Sequence, residues 1–243
     1  MPDAPVLPDA PDTLPVITID GPAGVGKSTL ARLLAERVHV PCLDTGAMFR
    51  CLALKLGADA PHLPEATLRE HCARWQFTLE RDASGNVVLA CNGTPVGEEI
   101  RTEEVGLMAA QVARLPVVRA ALKAAQQRMG AHTPLVVEGR DMGTEVFPRA
   151  RYKFFLDASV PVRAERRCRQ LREQGKPCPD VAQVAARIAE RDQLDRNRPV
   201  APLRPAPDAC VVDTSELDIP GVLDAMLAHI AAGGGMPAPD NLC

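Results

Sequence analysis

Two rhythms of apolar residues alternate along this chain. Val16-Ile17-Thr18-Ile19-Asp20, Leu135-Val136-Val137-Glu138, Tyr152-Lys153-Phe154-Phe155-Leu156-Asp157 and Ala209-Cys210-Val211-Val212-Asp213 are short, nearly continuous apolar runs. That continuity marks strands covered on both faces, as in a parallel sheet. Val38-His39-Val40-Pro41-Cys42-Leu43 reads as one more short strand, second in chain order. Between the runs, apolar residues recur at helical spacing: through Leu30 to Arg37, through Leu52, Leu54 and Leu56, and along a last helix ending near Ile230. Thr45 is placed to cap the second of these helices, and Thr214 or Ser215 turns the chain into the last. Strands alternating with helices predict an α/β fold with a doubly wound, five-stranded parallel sheet flanked by helices.

Residues 57 to 100 break the rhythm. A short helix is expected over Glu65 to Ala73, followed by alternating Gln76-Phe77-Thr78-Leu79-Glu80 and a Ser84-Gly85 turn. Val87 to Cys91 then runs into Asn92-Gly93, a strong two-residue hairpin signal, and Pro95 marks an edge strand. The pattern predicts a small antiparallel β insert followed by helices at 102–114 and 117–130, divided by Pro116. Between the fourth and fifth strands lie two charged helical stretches separated by Gly175 and Pro177, a helical hairpin. One domain at 15–232 is expected, with its core at 15–57, 131–162 and 199–232. The β insert occupies about 58–130 and the hairpin about 163–198 of the same numbering. The ends, 1–14 and 233–243, carry no periodic apolar face and are expected to be disordered tails.

Composition narrows the class. A chain of 243 residues can bury one sizeable core, and a net charge of −3 advertises neither nucleic acid nor a membrane surface. Aromatic residues are scarce, which disfavours a stacking platform for single strands. No basic, apolar leader opens the chain, and no apolar run approaches the roughly 20 residues that span a bilayer. A cytoplasmic protein is expected. The eight cysteines, at 42, 51, 72, 91, 168, 178, 210 and 243, form no C-x-x-C, which argues against a zinc site and against a disulfide framework.

Chemistry concentrates where the first strand ends. Gly21-Pro22-Ala23-Gly24-Val25-Gly26-Lys27-Ser28-Thr29 contains G-x-x-x-x-G-K-[ST], preceded by a strand and followed by a helix. Glycines let the backbone curl so that successive N–H groups face one concavity at a helix N-terminus, which favours an anion. Lys27 can reach the β- and γ-phosphates of a nucleoside triphosphate, and the Ser28 hydroxyl can ligate Mg²⁺. Glu138 ends an apolar strand beside this loop and is a candidate to hold Mg²⁺ through water. Arg50 falls near the C-terminal end of the second strand, where open α/β sheets bind ligands. Arg140 and Asp141 stand just past the Glu138 strand. In the charged hairpin, Arg191, Asp195 and Arg198 are spaced to share one helix face. A mobile cover carrying Arg191 and Arg198 suits phosphoryl transfer, whose transition state spreads charge over oxygens.

With these residues in view, the chain resembles the bacterial cytidylate kinases of the nucleoside monophosphate kinase family, a P-loop NTPase-type fold. The likeness runs through nearly all of 16–230. It is carried by Ile19 to Thr29, Leu43 to Arg50, Ile100 to Val105, Glu138-Gly139-Arg140-Asp141-Met142-Gly143-Thr144, Glu190-Arg191-Asp192 with Arg196-Asn197-Arg198, and Val200 to Leu203. The resemblance implies that residues 21–29 hold ATP and that the β insert is the monophosphate-binding subdomain, with the charged hairpin as lid. It implies that Thr45, Gly46, Arg50 and Arg140 fit the acceptor's phosphate, Arg119 and Asp141 its cytosine, Arg191 and Asp195 its ribose, and Arg198 the phosphates. Lys27, Arg140, Arg191 and Arg198 would carry catalysis. Ala110 stands where the family often has a serine near the base, and Leu194 where an arginine is common. The expected reaction moves the γ-phosphoryl of ATP, with Mg²⁺, onto CMP or dCMP, in a monomer with no nucleic-acid or membrane partner. A different acceptor (UMP, AMP or a small alcohol) or a non-kinase P-loop ATPase switch is the alternative.

Overall fold

The structure, a computed structural model, describes residues 14–235. In chain order it runs β1 (Leu14–Asp20), α1 (Lys27–Arg37), β2 (Cys42–Asp44), α2 (Thr45–Leu56), α3 (Glu65–Ala73), β3 (Phe77–Arg81), β4 (Val87–Cys91) and β5 (Thr94–Pro95). It continues through α4 (Glu103–Val112), α5 (Pro116–His132), β6 (Leu135–Glu138), β7 (Ala150–Asp157), α6 (Val160–Glu173), α7 (Val181–Asn197), β8 (Cys210–Asp213) and α8 (Ile219–Ala232). Five strands form one parallel sheet in the order β2-β6-β1-β7-β8, and β3-β4-β5 form a separate antiparallel sheet.

Strand alternation divides the core into two layers. Val16, Leu43, Leu135 and Val137 pack with Met48, Leu52, Val105 and Leu122 from α2, α4 and α5. Ile17, Ile19, Val136, Phe154 and Leu156 pack on the other face with Leu30, Leu34, Met226 and Ile230 from α1 and α8. Continuous apolar strands are therefore needed, because each residue finds a layer whichever way it points. Parallel pairing also brings every strand end to one edge, and each of the five ends on an acid: Asp20, Asp44, Glu138, Asp157 and Asp213. In the insert, Asn92 and Gly93 have φ of 52° and 74°, the left-handed pair that a tight hairpin between β4 and β5 requires.

Several expectations shift. The second strand begins at Cys42, not Val38, because Val38 closes α1 on Leu34 O, His39 turns with φ 56°, and Val40 N–H bonds Ala35 O. Asp44, not Thr45, caps α2: its Oδ1 accepts the Ala47 N–H at 2.9 Å, while the Thr45 hydroxyl donates to Glu138 O at 2.7 Å. The two helices of the insert divide as expected, but Pro116 is the first residue of α5 rather than part of the break, since the first helical position needs no N–H partner. Cys168 pairs with Cys178, Cα atoms 5.4 Å apart, contrary to the reading of all the cysteines as unpaired. The turn of the α6–α7 hairpin folds those two positions together. Of the expected tails, 1–13 and 236–243 lie outside the described residues. Leu14 belongs to β1, and Gly235 O accepts the Tyr152 hydroxyl at 2.8 Å, so the fold continues beyond 232.

Candidate active site

Along the acidic edge of the sheet opens a cleft of about 1110 Å³. It is walled by the turn before α1, the start of α2, α4 and α5, the loop after β6, and the inner side of α6 and α7. Of the residues given a binding or catalytic role from the sequence, all but Gly21, Pro22 and Val25 line it. Gly21 serves close packing: at φ 146° it lies so near β7 that an added Cβ would sit 2.1 Å from Leu156 O. Gly26, at φ 89°, delivers the chain into the first turn of α1, and Lys27 follows as its first residue. The free N–H groups of that turn are a ready anion site.

Lys27 is buried, and its Nζ donates to Pro22 O at 2.5 Å. Burial first, then the nearby Arg140 charge, lowers its pKa well below the ordinary lysine value. Two buried carboxylates flank it. Asp20 accepts the N–H groups of Met142 at 2.9 Å and Gly143 at 2.8 Å, and burial pushes its pKa up to about 6. Glu138 is raised to about 7, chiefly by burial and then by Asp44, while Lys27 and a bond from the Ser28 side chain act in the opposite direction. Its Oε1 is buried with no partner among the described residues. The Glu138 carboxyl and the Ser28 hydroxyl therefore meet beside the glycine-rich turn.

Farther along the cleft, arginines and carboxylates bind one another. Asp141 is 3% exposed and holds two guanidinium groups: Arg119 from α5 on Oδ2, and Arg198 from the end of α7 on Oδ1 at 3.0 Å. Arg119 also lies 5.8 Å from the Phe49 ring centre. Arg140 Nε donates to Asp195 Oδ2 at 3.1 Å, so the loop after β6 grips α7 twice. Arg198 is not on the α7 face with Arg191 and Asp195; it lies one residue past the helix in extended backbone. Arg191 lines the cleft without an ion pair among the described residues. Arg50 Nη1 donates to the carbonyls of Ile100 and Thr102, both at 3.1 Å, joining α2 to the segment before α4.

Sequence reasoning left out Asp20 and Arg101 as site groups. Arg101 lines the cleft and reaches Asp44 at 3.3 Å. An acid closing every core strand was the available signal for Asp20; for Arg101 it was its place in the Ile100–Val105 motif, although its contact with Asp44 spans 57 residues. Ala110 lines the cleft, whereas Leu194 is 61% exposed and does not.

A family model and the sequence relatives point to one family. The model for cytidylate kinase matches residues 17–232. The cytidylate kinase of Nitratidesulfovibrio vulgaris is 58% identical over 226 residues, covering 93% of this chain and 97% of that protein. That of Oleidesulfovibrio alaskensis is 52% identical over 215 residues, covering 88% and 97%. That of Aeromonas hydrophila subsp. hydrophila is 45% identical over 220 residues, covering 90% and 95%.

Proposed function

Because this chain belongs to the cytidylate kinase family, we propose a division of labour among its cleft residues for the ATP-dependent phosphorylation of CMP and dCMP. The chain is a kinase that moves the γ-phosphoryl of ATP to the acceptor's phosphate, releasing ADP and the diphosphate. An acceptor oxygen forms the new P–O bond as the bond from the γ-phosphorus to the β-bridging oxygen breaks. That acceptor oxygen is already an anion at pH 7, so no general base is needed, and positioning with charge neutralisation dominates.

In this reading the backbone N–H groups of residues 21–29 take the donor phosphates, and Lys27 leaves Pro22 O to meet the β- and γ-oxygens. Thr45, Gly46, Arg50 and Arg140 receive the acceptor's phosphate, with Arg101 at the same wall. Arg119 and Asp141 face the cytosine, and Arg191 with Asp195 the ribose. Arg191 and Arg198 bring positive charge over the transferring group as the hairpin closes. The reading calls on no residue of a second chain, and action as a monomer is part of it. No single described helix is long and apolar enough to cross a membrane.

Mg²⁺ fits the site. The Ser28 hydroxyl and the partnerless Glu138 Oε1 would hold it, Glu138 through water. Among the described residues no cluster of three acids, histidines or cysteines exists, so phosphate oxygens and waters would complete its coordination. Bound there, it would neutralise charge on the transferring phosphates.

The observation that carries the reading is convergence: the phosphate cradle, Arg191, Arg198 and the Arg119–Asp141 pair open on one cleft. The test is ADP release with ATP alone, then with CMP, dCMP, UMP and AMP. ADP release should need an acceptor and be fastest with CMP or dCMP. Equal ADP release with ATP alone would instead indicate a hydrolytic switch.

A further inference from the structure

Arg163 stands in the first turn of α6, beside arginines that line the cleft, yet it is 2% exposed and not among the lining residues. Each nitrogen of its guanidinium makes a hydrogen bond inside the protein. Nε donates to Ala158 O at 2.9 Å, Nη1 to Ala23 O at 3.0 Å, and Nη2 to Asp192 Oδ2 at 2.5 Å. Its Cβ also abuts the phosphate loop, since a Cβ added to Gly24 would lie 3.3 Å from it.

Peptide geometry gives this contact a consequence. The Ala23–Gly24 peptide is planar and trans, so the carbonyl of Ala23 and the N–H of Gly24 point in opposite directions. Holding the carbonyl from beneath fixes the N–H on the opposite side, and both residues line the cleft. A peptide free to rotate would offer phosphate an oxygen in place of a donor. Asp192 sits on α7 next to Arg191 and three residues before Asp195, but is buried away from the cleft those two line. One guanidinium thus bonds both Ala23 of the glycine-rich turn and Asp192 of α7.

We propose that Arg163 is a positioning residue for the donor phosphates, holding the Ala23–Gly24 peptide in its phosphate-binding orientation, and that Asp192 in turn holds Arg163. The proposal rests on the kinase reading above and concerns the ATP half of the cleft. Arg163→Ala would leave a buried carboxylate unpaired and lower stability enough to blur a binding comparison. The test therefore uses Arg163→Lys and Asp192→Asn. A lysine keeps the charge but presents one compact ammonium, which cannot reproduce the planar fork to three acceptors.

Calorimetric titrations of ADP and of CMP, without turnover, are compared with KM for ATP and for CMP. With a charge-assisted phosphate contact disturbed, ADP affinity of Arg163→Lys should fall about tenfold or more and KM for ATP rise in parallel. CMP affinity and KM should move less than about twofold by the same reasoning. Asp192→Asn should show a smaller loss confined to ADP, and the double variant less than the sum of the two. Unchanged ADP affinity per folded molecule, or equal losses for ADP and CMP, would overturn the proposal in favour of a purely structural pair. Failure of the wild type to phosphorylate CMP would sink the kinase reading, a separate outcome.

Discussion

Replacing Asp141 by alanine tests two properties of one carboxylate. The Asp141 side chain is 4% exposed, and its partners Arg119 and Arg198 are 10% and 9% exposed. Removing it strands two guanidinium groups away from water, and breaking a buried pair costs about 3–5 kcal/mol. For a chain of this size each kcal/mol lowers Tm by about 2–4 °C, so the loss should be about 6–20 °C in a calorimetric scan without nucleotide. The second property is base choice. A carboxylate has about four acceptor positions, so Asp141 can take a further donor with both arginines in place. Cytosine offers the N4 amine there; uracil offers O4, an acceptor. Uracil would leave like-polarity oxygens facing each other in a desolvated pocket, at a cost on the order of 1–3 kcal/mol. Asp141→Ala should therefore narrow the CMP:UMP ratio of kcat/KM by roughly tenfold or more. Acceptor titrations at saturating ATP, well below the variant's Tm, separate this from unfolding. An unchanged ratio with both rates reduced equally would refute base reading and leave Asp141 as an organiser of the two arginines. An unchanged Tm would refute the burial argument.

Three further outcomes follow from the same geometry. On the proposed reading Lys27 meets the phosphates, so Lys27→Ala should lower kcat by roughly 10²–10³; since burial already disfavours that charge, the Tm of the free protein should scarcely move. Arg191 has no ion-pair partner among the described residues, and desolvation, then the like charge of Arg140, lowers its pKa. Arg191→Ala should leave Tm unchanged or slightly raised while kcat and kcat/KM for CMP fall together; a rise in KM alone would make it a ground-state contact. Asp20, raised from 3.8 to about 6 by burial, binds its proton more tightly in the folded than in the unfolded chain. Its contribution to stability is fully present below about pH 4 and lost as pH rises through about 6, so urea unfolding across that window should show a decline that Asp20→Asn flattens. Equal slopes for wild type and variant would contradict this.

The sequence by itself determined whatever depends on a few neighbouring residues. Strand β1, the glycine-rich turn and α1 are legible because apolar continuity, left-handed glycines and helical spacing act over a handful of positions. The Asn92-Gly93 hairpin and the helix at Glu65–Ala73 are legible for the same reason. The family motifs also named the cleft-lining residues, but not what those residues do to one another. Only the tertiary structure decided that Asp141 would sit between Arg119 and Arg198, 22 and 57 residues away in the chain. It likewise turned Arg163 from a member of a charged helical stretch into a buried brace beneath Ala23, 140 residues distant. The capping of α2 by Asp44 rather than Thr45 has a similar origin, since the Thr45 hydroxyl is drawn off to the Glu138 carbonyl of the neighbouring strand. A charged side chain takes whichever partner the fold brings within reach, and in a parallel sheet each crossover returns distant segments to the same edge. Local pattern therefore specifies the elements and the edge where chemistry gathers, whereas the pairing of charges at that edge follows from strand order.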